Sequence, residues 1–170
     1  GAGTSRTITI GGTGTYTLGG VISGSSSNLT VASSAAGVVL LTGANTYNGT
    51  TTVSGGTLQL NRTGGTTLPT GNSVVVNNGG TLRITSAQQL ANVTVDAGGT
   101  LIVDATLTVT GNCTINGNFQ INQGGFATGG TWSYGSTGTL IFNNTSGPYG
   151  VSGTPAYWPT TNGPFNVTVQ

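Results

Sequence analysis

Charge is the scarcest commodity in this chain: 3% of its 170 residues carry any, and Lys, Glu, His and Met are absent altogether. A globular domain ordinarily has about a quarter of its residues charged. Arg6, Arg62, Arg83, Asp96 and Asp104 make up the whole inventory. Without His there is neither a Ser-His-Asp triad nor a Cys-His pair. The lone cysteine, Cys113, excludes an internal disulfide and a thiolate metal cluster. Cys113 alternates with Ile115, which predicts an inward, apolar filler. The Gly-rich runs do not match a phosphate loop, because no Lys follows any of them. A net charge of +1 leaves no basic patch for nucleic acid. No run reaches the ~18 apolar residues of a membrane helix, so membrane insertion is not expected. The expectation is a protein with no cofactor, no metal and no catalytic residue.

The two carboxylates are the last place to look for an enzyme. Glycosidic cleavage by the usual route needs two carboxyl groups about 5–10 Å apart. Asp96 and Asp104 follow Val95 and Val103, each where an alternating run ends. Within one repeat, that separation predicts different faces of the same coil. Both read as turn-forming aspartates.

Gly is abundant, at 32 residues, and Thr, Ser and Asn fill most of the other polar positions. A flexible linker would look similar, but here Val, Ile and Leu recur in short alternating runs throughout. Sustained i, i+3, i+4, i+7 spacing is missing, which excludes amphipathic helices. Three segments align without gaps: Gly55-Gly56-Thr57-Leu58-Gln59-Leu60, Gly79-Gly80-Thr81-Leu82-Arg83-Ile84 and Gly98-Gly99-Thr100-Leu101-Ile102-Val103. Each follows its own alternating strand, ending in Val53, Val76 and Val95. Short strands joined by Gly/Asn corners at a period near 20 residues are a solenoid signature. The fold expected is all-β, a β-solenoid with coils of about 19–24 residues, rather than an antiparallel sandwich. Val53, Leu58, Leu60, Val76, Leu82, Ile84, Val95, Leu101 and Val103 should face inward, and the Gly-Gly pairs should make sharp corners.

Within this pattern, residues 38–60 resemble the autotransporter-associated β-strand repeat. The stretch Leu41-Thr42-Gly43-Ala44-Asn45-Thr46-Tyr47-Asn48-Gly49-Thr50-Thr51 carries the likeness, followed by a strand, Gly56-Thr57-Leu58 and a last strand. The resemblance implies a right-handed parallel β-helix of the kind found in secreted bacterial passenger and adhesin-like proteins. It therefore implies an extracellular or cell-surface location, which the lack of Lys and Glu also favours.

The chain reads as one domain. Residues 1–37 hold N-terminal coils or a cap, 38–125 the regular repeats, and 126–170 an aromatic- and Pro-rich end with a terminal strand. Eight of eleven aromatics fall in that end: Phe126, Trp132, Tyr134, Phe142, Tyr149, Tyr157, Trp158 and Phe165. They read first as a cap over the open coil. Alternatively, Trp132, Tyr134, Tyr157 and Trp158 are candidate contacts for a polysaccharide or another partner. Ile8 and Ile10 at one end, and Val167 and Val169 at the other, are candidate inter-subunit strands for a head-to-tail polymer or for the continuation of a longer chain. The function expected is structural: an adhesin-like stalk or an extracellular filament subunit. Thr-x-Thr stretches occur, but out of phase with the Gly-Gly-Thr-Leu repeat, so no stacked Thr rank and no ice-binding face is expected. Eight N-x-S/T sequons, at Asn28, Asn48, Asn61, Asn92, Asn112, Asn143, Asn144 and Asn166, are partly accounted for by the wealth of Thr and Ser.

Overall fold

The computed structural model describes residues 5–33, 36–144 and 156–170. Tyr149, Pro148 and Pro155 lie outside the described residues. The chain forms β1 (Arg6–Ile10), β2 (Thr15–Leu18), β3 (Leu29–Ser33), β4 (Val38–Leu41), β5 (Thr51–Val53) and β6 (Gly56–Leu60). Then come β7 (Ser73–Val76), β8 (Gly80–Ile84), β9 (Gln88–Leu90), β10 (Asn92–Val95), β11 (Thr100–Val103) and β12 (Thr106–Val109). The last six are β13 (Asn112–Ile115), β14 (Asn118–Asn122), β15 (Phe126–Thr128), β16 (Thr131–Tyr134), β17 (Thr139–Asn143) and β18 (Asn166–Val169). Every pairing is parallel and joins one coil to the next, making a β-solenoid of about seven turns.

Three sheets wrap the core. The first runs β1-β3-β5-β7-β10-β13-β16, the second β2-β4-β6-β8-β11-β14-β17-β18, and the third only β9-β12-β15. Partners along the first sheet, Arg6, Leu29, Thr51, Val74, Val93, Cys113 and Trp132, lie 23, 22, 23, 19, 20 and 19 residues apart. Three long coils are thus followed by shorter ones. Each short coil has a strand on its third side where the long coils have a loop.

Alternation puts the apolar residues inside, because successive side chains of a strand point to opposite faces. On the second sheet Val39, Leu58, Leu82, Leu101, Phe119 and Leu140 stack in one inward column, and Leu41, Leu60, Ile84, Val103, Ile121 and Phe142 in the next. All nine inward residues read from the repeat are fully buried. The regular coils extend past residue 125: β16 and β17 stack in register on β13 and β14.

The Gly-Gly corner divides its work between two glycines. In Asn77–Gly80, Asp96–Gly99 and Asn122–Gly125 the fourth N–H donates to the first carbonyl, at 2.9, 2.8 and 2.9 Å. The first glycine takes φ of +78° at Gly79 and +82° at Gly98, a region that L side chains enter at a cost. The second meets the previous coil: a Cβ on Gly80 would stand 2.3 Å from the Val53 carbonyl oxygen. One glycine turns the chain; the other lets the coils close up.

Candidate functional site

The long coils must satisfy a third side that has no strand, and polar side chains do it. Asn45 is buried, with Oδ1 accepting from Ile22 N–H at 2.8 Å. Its Nδ2 donates to the carbonyl of Thr67 at 3.1 Å, so one amide ties together three coils. Two residues on, the buried Tyr47 hydroxyl donates to Thr51 Oγ1 at 2.6 Å. Thr51 in turn donates to Asn72 Oδ1 at 2.7 Å. Burial raises Tyr47 to a pKa of about 12. Gly49 is required between them, since a Cβ there would lie 2.3 Å from the Ser27 carbonyl oxygen. The Asn-Thr-Tyr-Asn-Gly-Thr-Thr stretch therefore works as a hydrogen-bonded clamp, with its buried side-chain polar atoms all paired.

Gln88 does the same at the change of coil length. Its Oε1 accepts from Thr67 N–H at 2.8 Å, and its Nε2 donates to the Ala87 carbonyl at 2.8 Å. Beyond it the third-side column becomes apolar, with Gln88 followed by Leu107 and then Ala127. Of the third-side strands the sequence marked only β12, through the alternating run Leu107-Thr108-Val109; β9 and β15 went unread. All three strands are only three or four residues long and match no Gly-Gly-Thr-Leu copy.

The aromatic end corrects the reading of a four-residue carbohydrate platform. Trp132 is 2% exposed, Tyr134 5% and Tyr157 0%; only Trp158, at 58%, faces solvent. Trp132 and Tyr134 occupy the inward columns of β16, above Cys113 and Ile115. Trp132 stacks on Phe119 with centroids 5.1 Å apart, and its Nε1 donates to the Gly129 carbonyl at 2.7 Å. Tyr157 packs edge-on against Phe126 and Phe142 and accepts from Ala127 N–H at 3.1 Å. Tyr134 Oη donates to the Ala156 carbonyl at 3.0 Å. Burial raises the Tyr134 phenol, with the Cys113 and Tyr157 charges adding to it. These rings pack together over the inward columns at β14, β16 and β17.

Both aspartates lie at coil corners. Asp96 opens a β-turn. Asp104, at another corner, pairs with Arg83 on the neighbouring coil through Nε to Oδ2 at 2.7 Å and Nη2 to Oδ1 at 3.2 Å. Asn122 Nδ2 donates to Asp104 Oδ1 at 2.6 Å. Burial raises the Asp104 carboxyl, but the Arg83 and Asn122 hydrogen bonds outweigh it and hold the group below its ordinary value. Among the described residues no three His, Cys, Asp or Glu side chains gather as a metal site would need. Cys113 is buried, which pushes its thiol well up.

Two sequence readings change on the first sheet's outer face. Its outward register stacks Thr7, Thr30, Thr52, Val75, Thr94, Thr114 and Ser133, so a hydroxyl rank exists, broken once by Val75. It follows the strands before each Gly-Gly corner, so aligning on the Leu after the corner hid it. The same alternation generates the sequons at Asn28, Asn92 and Asn112, each two residues before a ranked Thr. Two of those amides serve the ladder: Asn28 Oδ1 accepts from Thr50 N–H and Asn92 Oδ1 from Asn112 N–H, both at 2.9 Å.

Among the described residues, β2 and β18 are the edge strands of the second sheet. At β2, an apolar hollow of about 250 Å³ is lined by Ile8, Thr9, Gly11, Tyr16, Leu18 and Val39. Of Ile10 only the backbone is described. At β18, Val167 and Val169 are exposed in the columns that Tyr16 and Leu18 occupy at the other edge.

No curated protein and no solved structure gives a match to this chain. The family comparison falls on the clamp itself: residues 36–60 match the passenger-associated-transport-repeat, an autotransporter repeat that implies a secreted or surface-displayed β-helix passenger.

Proposed function

We propose that this chain is a mechanical element of the cell exterior, an adhesin-like stalk or filament subunit that extends by end-to-end strand pairing and catalyses nothing. The observation that carries the reading is that, among the described residues, β2 and β18 are the two edge strands of one continuous sheet. β18 of one copy set against β2 of the next would bring Val167 to Tyr16 and Val169 to Leu18, continuing both inward columns. An exposed strand edge is a template for such pairing. The contact joins unlike surfaces, so repetition makes an open filament. The clamp, the Arg83–Asp104 pair and the buried aromatics all serve the scaffold. Electron microscopy and analytical ultracentrifugation of concentrated protein should show fibres or a ladder of oligomers, lost on Val169→Lys. A stable monomer at every concentration overturns the end-to-end assembly.

A second reading rests on Trp158 and Phe165, both exposed near one end. Exposed aromatic rings stack on sugars. Binding on a polysaccharide array, abolished by Trp158→Ala, would move the function toward carbohydrate attachment.

A further inference from the structure

Four Asn-Gly steps occur in the chain: Asn48-Gly49, Asn78-Gly79, Asn116-Gly117 and Asn162-Gly163. Such steps are chemically labile, since glycine leaves its own amide nitrogen unhindered. That nitrogen attacks the asparagine side-chain carbonyl carbon, ammonia departs and a succinimide ring forms. Water then opens the ring to aspartate or isoaspartate, for a net exchange of NH₃ for H₂O. A nitrogen already committed to a ladder hydrogen bond must first break it.

The coil geometry separates the four sites. Gly49 N–H donates to Ser27 O at 3.0 Å, Gly79 N–H to Gly98 O at 3.1 Å and Gly117 N–H to Val95 O at 3.2 Å. Each is a bond between adjacent coils. Gly163 N–H has no such partner among the described residues. Asn162 is exposed, with φ of +55°, in the irregular segment between Tyr157 and β18. We infer that Asn162-Gly163 is a self-modification site of the folded protein, and that the other three steps are protected by the solenoid.

The site sits at a joint. The Asn162 main-chain carbonyl accepts from Tyr134 N–H at 2.7 Å, holding the closing segment against β16. On conversion to isoaspartate, the main chain runs through the former side chain and that carbonyl becomes a carboxylate branch. The closing segment gains one backbone atom and a negative charge, and its bond to Tyr134 is lost. The solenoid thus carries a slow, irreversible release at the end where the aromatics cover the core.

The test is incubation of the intact chain in mildly alkaline buffer, followed by chymotryptic mapping. Cleavage after Tyr157 and Phe165 isolates Asn162. In the folded protein Asn162 should convert at least about tenfold faster than Asn48, Asn78 or Asn116, equivalent to about 1.4 kcal/mol. In denaturant the four rates should converge. Amide exchange at Tyr134 should rise in step with the conversion, and Asn162→Gln should stop both. Equal folded-state rates at the four steps, or Asn162 slower than any other, overturn the proposal. Conversion without faster exchange at Tyr134 overturns the release.

Discussion

The long coils and the short coils solve one problem in two ways. Both stack strands on two sheets, but a triangular section needs a third side. In the long coils that side is a loop, and Asn45, Tyr47, Thr51 and Asn72 replace the missing ladder with side-chain hydrogen bonds. In the short coils β9, β12 and β15 supply the ladder, and Leu107, Val109 and Ala127 supply apolar contact. A buried polar network is strong only when every member is satisfied. The loop solution therefore depends on particular residues, while the strand solution accepts any apolar filler of suitable volume.

The sharpest way to break the comparison is at the junction. Leu82→Asp would place an unpaired charge in a core column, an effect of several kcal/mol. In a stack of nearest-neighbour contacts this should uncouple the two regions. Calorimetry should then show a single transition split in two, and Cys113 should stay unreactive to thiol reagents until the second. A single transition at the parent temperature would show that Leu82 does not lie in the shared core.

Asn45→Leu tests the loop solution alone. It keeps the volume but strands Ile22 N–H, at about 1–3 kcal/mol for each buried group left unpaired. Hydrogen exchange should speed up around Ile22 and Thr67 and stay unchanged in β12. Leu107→Ala, in the strand region, should cost about 2–5 kcal/mol through its cavity instead.

Alkali probes the clamp without mutation. An unfolded tyrosine titrates near 10, whereas Tyr47 is held at about 12. Its folded value is the higher, so its contribution is complete below pH ~10 and is lost as pH climbs toward ~12, by about 2–3 kcal/mol. Denaturant melts at increasing pH should reveal this window, reduced in Tyr47→Phe.

The smallest effect belongs to the ion pair. Asp104 is depressed when folded, so its stabilisation is present above the ordinary carboxylate pKa of about 3.9 and lost as pH falls below it. The Arg83 side chain is 43% exposed, which caps the pair at about 1 kcal/mol or less. Asp104→Asn should shift the melt only slightly and remove most of the acid dependence. A large loss would assign Asp104 a buried role.

What the sequence disclosed follows from how short-range its cues are. Inward columns at Leu58, Leu82 and Leu101 were legible because one strand's alternation decides them. The Gly-Gly corners were legible for the same reason. The Asn45 amide was not, since its partners Ile22 and Thr67 come from other coils. Arg83 and Asp104 looked like isolated charges because their contact joins residues 21 apart. The aromatics misled in part: Trp132 and Tyr134 alternate as any inward pair does, yet their type suggests a surface that, of the four candidates, only Trp158 provides.

The parallel register has one more consequence. Every bond between coils points along the solenoid axis, so a pull from end to end loads each ladder head-on, a few bonds at a time. Yielding would then begin at an edge and peel away single coils of 19–23 residues. Each coil would release about 60–80 Å of slack at 3.3–3.6 Å per residue. Under tension the molecule would behave less as a rod than as a reel, paying out line in fixed lengths and winding back when the load falls.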